Sequence, residues 1–135
     1  MISMLRYFLL VGAASCLVLL GACPSAGRGH FKKGDLLFQQ QNYGGALIEF
    51  EAALEAEPES KMALFKMARC LYKLNRFEDA LAAYEKFLSA TDGEDRATYQ
   101  KERWDAAFYR DRCKQELGIE VPQDPSAIPP PPMGE

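Results

Sequence analysis

Residues 34–58 read GDLLFQQQNYGGALIEFEAALEAEP, and the same pattern of residue types returns 34 residues later. Six positions keep their size across that interval: Gly34 and Ala68, Leu37 and Leu71, Tyr43 and Phe77, Ala46 and Ala80, Phe50 and Tyr84, and Leu54 and Leu88. An interval that is kept at several positions indicates one supersecondary unit used twice.

Each copy has the pattern of a helical hairpin. In the first copy, apolar residues recur at helical spacing on both sides of a polar break at residues 39–42, which Gly44 and Gly45 follow. Two short helices joined by a tight turn cannot bury both apolar faces alone, so each hairpin needs a neighbour. The sequence therefore predicts an all-α fold, a short solenoid of antiparallel helix hairpins.

This pattern resembles the tetratricopeptide repeat, whose 34-residue consensus contains W-x2-L-G-x2-Y, then A-x3-F, then P. The matching residues are Gly34, Leu37, Ala46, Phe50 and Pro58 in the first copy, and Leu64, Met67, Ala68, Leu71, Ala80 and Tyr84 in the second. Large apolar residues of the consensus are replaced by His30 and Lys33. Phe87 stands at a small-residue position, and Asp92 stands where the consensus has its closing proline. The resemblance covers about residues 28–94 and implies a protein-binding scaffold.

A partial third copy follows a change of register. Repeat 1 is expected at about residues 27–60 and repeat 2 at about 61–94. Residues 65–74 resemble residues 108–117 at an interval of 43, so about nine residues are inserted between Ser89 and Lys101. We predict a turn at residues 91–93, then one long capping helix over residues 94–117 that stops at Gly118.

The capping helix is expected to have two different sides. The side expected to pack on repeat 2 consists of Ala106, Tyr109, Cys113 and Leu117. The uncovered side consists of Ala107, Arg110, Asp111 and Lys114. A polar outer side is what the end of a solenoid requires.

Residues 1–22 have the features of an export signal. Arg6 precedes an apolar run at residues 7–20, which is short for a membrane span and suits a secretory signal. Leu20-Gly21-Ala22-Cys23 resembles the bacterial lipobox, which implies that Cys23 carries lipid, such as palmitate, and becomes the first mature residue. The alternatives are an ordinary signal peptide cut near Ala22, an uncleaved anchor, or lipidation at Cys16.

The segments on either side of the helical domain are predicted to lack helices. Residues 23–29 are expected to be the lipidated N-terminus and a tether of at most about 20 Å, and residues 119–135 a disordered proline-rich tail. Loss of residues 1–22 would remove Arg6 and no acidic residue, changing the net charge from −3 to −4. A mildly acidic domain has no electrostatic reason to bind nucleic acid or to lie flat on an anionic membrane.

Cys70 and Cys113 occupy equivalent places in similar stretches. Such positions on neighbouring parallel helices are about 10 Å apart, whereas a disulfide allows roughly 7 Å between α-carbons. We therefore expect two small buried residues, with a disulfide as the alternative. The only histidine, His30, is distant from both in the repeat, so we expect no metal site.

The sequence holds no catalytic constellation and no glycine-rich phosphate loop, so we expect a non-enzyme without cofactors. Five carboxylates indicate a solvated acidic helix face: Glu49, Glu51, Glu55, Glu57 and Glu59. In the family, the first helix of each repeat lines a peptide-binding groove. The resemblance places these residues there: Phe31, Asp35, Phe38, Phe65, Arg69, Tyr72, Lys73, Phe108 and Arg112. Alternatively, some of the aromatic residues only pack between adjacent helices.

These features favour a lipid-anchored protein–protein interaction module of the bacterial cell envelope. We expect an adaptor or assembly factor for an envelope complex such as a secretin, a pilus, or motility or secretion machinery. The alternative is a permanent structural subunit without a reversible groove. Pro24 after Cys23 gives no inner-membrane retention signal, so we expect the outer membrane, facing the periplasm.

Overall fold

The computed structural model describes residues 24–121, and this part of the chain is all-α. Its elements are α1 (Pro24–Gln39), α2 (Tyr43–Ala56), α3 (Lys61–Lys73), α4 (Phe77–Ala90), a 3-10 helix (Gly93–Arg96) and α5 (Gln100–Glu116). Helices α1 and α2 form one hairpin, α3 and α4 form the second, and α5 packs on α4. The predicted helix-hairpin solenoid is confirmed. Helix α3 also touches α1 and α5, and we call the side formed by these three helices the inner face.

The same backbone geometry closes both hairpins. Among the described residues, the two non-glycine residues with positive φ are Gln41 (62°) and Asn75 (58°), which are 34 residues apart. Asn42 begins α2, and its side-chain oxygen accepts a hydrogen bond of 3.0 Å from the Gly45 N–H, which satisfies a donor at the helix start. The 34-residue interval is therefore kept in the backbone conformation of the turns as well as in the residue types.

Small residues at the repeat positions allow the helices to approach closely. Ala46 and Ala80 are fully buried, as are the large residues that follow them in the pattern, Phe50 and Tyr84. Phe87 is also fully buried. This departure from the family pattern is therefore absorbed by the core and not exposed at the surface.

Helix α1 begins at Pro24, so the tether predicted for residues 23–29 is wrong for residues 24–29. Proline suits the first turn of a helix, because the N–H that it lacks would have no partner there. Gly27 is buried, and a Cβ atom on it would lie 2.7 Å from Glu57 Oε1. The small residues that suggested a tether instead allow α1 to approach the end of α2.

The predicted start of the last helix is also wrong, because α5 begins at Gln100 and not at Glu94. Gly93 has a φ of 84°, and the residues from Gly93 form a single 3-10 turn. At the other end α5 stops at Glu116, and Gly118 follows with a φ of 69°, a backbone conformation that glycine adopts readily at helix ends.

Arg103 holds the connection between α4 and α5. Its Nη1 donates to the Leu88 carbonyl at 2.6 Å and to Thr91 Oγ1 at 2.8 Å. Thr91 is buried, and its hydroxyl donates to the Phe87 carbonyl at 2.8 Å. The carbonyls of Phe87 and Leu88 at the end of α4 thus have hydrogen-bond partners. The helix can therefore end here, and the chain turns before α5 begins.

Helix α5 covers the second hairpin with its apolar side. Ala106 and Cys113 are fully buried, and the Tyr109 ring lies 4.9 Å from the Tyr72 ring and 6.0 Å from the Tyr84 ring. The residues predicted on the uncovered side are partly buried. The Asp111 side chain is 15% exposed and pairs with Arg110 Nη2 at 2.7 Å, and the Lys114 side chain is 27% exposed, with its Nζ 3.3 Å from Glu85 Oε1 of α4. The predicted uncovered side is therefore wrong for Asp111 and Lys114.

Some sequence predictions fall outside the described residues. They are the signal at residues 1–22, lipidation at Cys23, and the tail beyond residue 121. None of the helices between residues 24 and 121 combines the length and the hydrophobicity that a membrane crossing requires.

Candidate functional site

The predicted groove residues lie on α1, α3 and α5, the helices of the inner face. On α1, the Phe31 ring packs edge-on against Phe50 of α2, with centroids 5.6 Å apart. Asp35 Oδ1 accepts a hydrogen bond of 2.6 Å from Lys66 Nζ of α3. Both side chains therefore join α1 to its neighbouring helices.

Arg69 of α3 lies against two aromatic rings. Its Cζ is 4.9 Å from the centroid of Phe38 on α1 and 5.9 Å from that of Phe65 on its own helix. A guanidinium over a ring face is attracted by the ring quadrupole, with a contribution of about 0.5–2 kcal/mol. Arg69 therefore helps to hold α1 and α3 together.

Asp105 of α5 also faces the inner side near Arg69. Burial raises the pKa of the Asp105 carboxyl, and this effect outweighs the lowering by the Arg69 and Lys101 charges. A raised pKa makes this carboxylate easier to neutralise than an exposed one.

Two of the predicted groove aromatics pack between helices. Phe65 is only 3% exposed, and its ring centroid lies 5.2 Å from that of Phe87 on α4. Tyr72 lies between Phe77 of α4, at 5.8 Å, and Tyr109 of α5, at 4.9 Å. The geometry favours the alternative that Phe65 and Tyr72 pack between adjacent helices, because they offer little surface to a partner.

The accessible part of the predicted site lies toward α5. Phe108 is 38% exposed and stacks on Trp104, with centroids 6.0 Å apart and planes 8° apart. Arg112, one turn further along α5, is exposed, as is Lys73 at the end of α3. Neither cation has a charge partner within the part of the chain that the structure describes. We call Trp104 and Phe108 the aromatic platform.

Trp104 is an inner-face residue that the repeat pattern misses, because the third-copy match begins at Phe108. Its indole Nε1 is buried without an acceptor. An open cavity of about 640 Å³ adjoins it, lined in part by Lys101 and Asp105. The spacing of four residues between Trp104 and Phe108, which places them on one side of a helix, is the signal that could have identified it.

His30 and Lys33, two departures from the family pattern, both meet Glu49 of α2. His30 Nδ1 lies 2.8 Å from Glu49 Oε2, and Lys33 Nζ lies 2.6 Å from Oε1. Glu49 is buried, so its assignment to a solvated acidic face is wrong, whereas Glu51 and Glu55 are exposed. Hydrogen bonds from Lys33 and His30 hold the pKa of Glu49 below its ordinary value of 4.5. A hydrogen-bonded trio of His30, Lys33 and Glu49 thus replaces an apolar contact inside the first hairpin.

The titratable groups of the core are not poised for reaction. Cys70 and Cys113 are free and buried, and burial raises the pKa of the Cys70 thiol to about 12 and that of Cys113 to about 11. Protonated thiols are poor nucleophiles and poor metal ligands. Across residues 24–121, no group of three histidine, cysteine or carboxylate side chains is arranged to hold a metal ion.

Two stacked hairpins and a capping helix define a helical repeat protein. A family model described as tetratricopeptide repeat matches residues 31–95, just under half of the chain. The match supports the resemblance seen in the sequence. Repeats of this type are typically protein–protein interaction modules.

One curated relative matches part of the chain. The DnaJ protein P58IPK homolog of Arabidopsis thaliana is 33% identical over 67 residues, which make up 50% of this chain and 14% of that protein. The chain therefore corresponds to a small part of the relative's length. No solved structure gives a significant match to the chain.

Proposed function

We propose that the chain is a lipid-anchored adaptor or assembly factor that binds a protein segment of a bacterial envelope complex. The lipobox-like sequence that ends at Cys23 supports the anchor. The repeat class supports binding of a protein or peptide. The periplasmic side of the outer membrane is the proposed location.

The aromatic platform carries the binding part of this proposal. Phe108 keeps 38% of its surface exposed while stacked on Trp104, and an exposed arginine, Arg112, follows one turn later. Aromatic and arginine side chains held on a rigid helix are frequent in the centres of interfaces. A partner segment would place an apolar side chain on Phe108 and give acceptors to Arg112.

Affinity capture from solubilised membranes tests the binding surface. Arg112→Glu should lose the partner, because the change reverses an exposed charge beside the platform. Glu51→Lys on α2 is the matched control, since it also reverses an exposed charge but lies away from the inner face. Arg69→Glu is less suitable because it would remove the stacking on Phe38 and Phe65.

Each variant is first checked for wild-type helical content by circular dichroism. Selective loss with Arg112→Glu supports an adaptor. Equal capture by both variants, or equal loss from both, would contradict the inner-face site and favour a permanent structural subunit. Release of the captured partner on dilution would distinguish a reversible adaptor from such a subunit.

Metabolic labelling with palmitate tests the anchor. Cys23→Ala should abolish incorporation and leave precursor or released protein, whereas the control Cys16→Ala should incorporate the label normally. Normal labelling of Cys23→Ala would refute lipidation at Cys23. Separation of the two membranes by density then tests the outer-membrane location.

A further inference from the structure

The first hairpin has an open side where a preceding hairpin would stack. Cys113 of α5 is fully buried, and α5 packs on the hairpin before it. Cys70 of α3 is the equivalent residue and is also fully buried. Leu36 of α1 is its equivalent one repeat earlier, and it is 55% exposed. No hairpin precedes α1 within residues 24–121, so Leu36 lacks the cover that its equivalents have.

Ile48 of α2 extends this open side. Its equivalent in the second hairpin, Ala82, lines a groove together with Glu51 and Leu54 of the first hairpin, so the position points toward the preceding repeat. Ile48 is 65% exposed. The end of the solenoid at α1 and α2 therefore presents two large apolar residues.

Two cations share this side. Arg28 and Lys32 precede Leu36 by eight and four residues on α1, a spacing that places all three on one side of the helix. Both are exposed and without a charge partner among the described residues. We call Arg28, Lys32, Leu36 and Ile48 the N-terminal face. Glu49 cannot neutralise it, because Glu49 is buried and engaged with His30 and Lys33.

The charge of the face restricts its occupant. A second copy of the chain packed through the same face would bring Arg28 and Lys32 toward the same cations of the first copy. Carboxylates at the end of α2 lie near this face, because Glu57 lines a cavity with Arg28 and the exposed Glu55 follows Ile48 by two helical turns. The charged residues of the face itself are both cations. An anionic surface fits this face better than another copy does.

The start of α1 indicates which anionic surface is within reach. The helix begins at Pro24, directly after Cys23. At about 1.5 Å per residue, Arg28 lies about 6 Å and Lys32 about 12 Å along the helix from its start. Both cations would therefore stay close to a membrane that holds an acyl chain on Cys23.

We propose that the N-terminal face lies on the anionic lipid headgroups of that membrane, with α1 along its surface. This inference rests on the proposed lipid anchor. Arg28 and Lys32 meet the lipid phosphates, while Leu36 and Ile48 enter the boundary between headgroups and acyl chains. The negative net charge of the whole chain matters little at this contact, because charges beyond about 8 Å are screened at physiological salt.

Fluorescence quenching in vesicles tests the contact on the intact lipidated protein. A fluorophore is attached at Ile48→Cys, while Cys70 and Cys113 are buried and Cys23 carries lipid. The protein is placed in vesicles of phosphatidylcholine alone or with an equal part of phosphatidylglycerol, each containing nitroxide-labelled lipid. Quenching should be strong in the anionic vesicles and weaker in the neutral ones. A label at the exposed Gln115 of α5 is the control and should stay unquenched.

Charge variants separate the proposal from its alternatives. Arg28→Glu with Lys32→Glu should reduce quenching in anionic vesicles to the neutral-vesicle level, whereas Glu55→Lys should maintain or increase it. An unquenched label on protein that still floats with the vesicles would overturn the proposal and leave the anchor intact, whereas protein that fails to float would refute the anchor itself. Fluorescence changes that depend on protein concentration without membranes would show a second copy on this face, which would also overturn the proposal.

Discussion

Replacement of Gly34 by alanine is expected to destabilise the first hairpin. A Cβ atom on Gly34 would lie 2.9 Å from Cε1 and 3.0 Å from Cδ1 of Phe50. The Phe50 ring is fully buried and packs against Phe31, so it cannot move aside into solvent. Overpacking of this kind costs about 1–3 kcal/mol, while the better helix propensity of alanine returns about 1 kcal/mol. The expected net loss is therefore up to about 2 kcal/mol.

Gly29→Ala is the matched control on the same helix. No atom lies within 4 Å of a Cβ placed on Gly29, so only the propensity gain of about 1 kcal/mol applies. The two variants should differ in free energy of unfolding by about 1–3 kcal/mol, which is the contribution of the clash alone. For a folded region of this size, each 1 kcal/mol shifts the melting temperature by about 4–8 °C.

Thermal and urea unfolding followed by far-ultraviolet circular dichroism measures this difference. Gly34→Ala should melt below the wild type, and Gly29→Ala should melt at or above it. If Gly34→Ala melted at the same temperature as Gly29→Ala or higher, the close approach of α1 to Phe50 would be refuted.

Three further predictions concern the connection between α4 and α5, the contacts of Glu49 with His30 and Lys33, and the buried Cys70 thiol. Arg103→Met should lower the free energy of unfolding by about 1–3 kcal/mol, because it removes two partly buried hydrogen bonds and leaves the Leu88 carbonyl only the 3.4 Å contact with Thr91 Oγ1. Arg110→Met is the control for urea denaturation, and equal losses would contradict a special role for Arg103. Glu49 has a folded pKa below its ordinary value of 4.5, so its ionised form stabilises the fold above that pH and the stabilisation is lost as the pH falls below it. Urea denaturation from neutral to acidic pH should show a weaker acid dependence in Glu49→Gln, and an unchanged dependence would count against the trio. Cys70 should resist alkylation at neutral pH in the native chain, since burial raises its thiol pKa to about 12; mass spectrometry should detect labelling only in denaturant, and equal native and denatured rates would refute its burial.

The sequence predicts those parts of the fold that depend on residue size at a fixed interval. Ala46 and Ala80 fit between helices, and Phe50 and Tyr84 fill the core, because each repeat must solve the same packing problem. The sequence does not predict that helices begin at Pro24 and Gln100. These helix starts depend on tertiary contacts, such as the Arg103 hydrogen bonds, that no local pattern contains.

The sequence predicts which helices and which face carry the candidate site. It does not predict which of the residues are exposed to a partner. Sequence spacing placed Phe65 and Arg69 on the inner face, yet exposure depends on what the adjacent helices bring to the same place. Phe38 of α1 lies over Arg69, and Phe87 of α4 lies against Phe65. The repeat pattern does not include Trp104, because this residue precedes the segment that matches the repeat.

The trio of His30, Lys33 and Glu49 should make the first hairpin easier to open locally than the second. The corresponding α3 positions in the second hairpin are Leu64 and Met67, whose apolar contacts are less sensitive to salt and acid than the ion pairs of the first. Local opening requires less free energy where fewer apolar contacts are buried. Amides of α1 should therefore exchange with deuterium earlier than those of α3, and high salt should widen this gap by screening the partly exposed ion pairs. The chain would then refold from its second hairpin outward, with α1 the last helix to join.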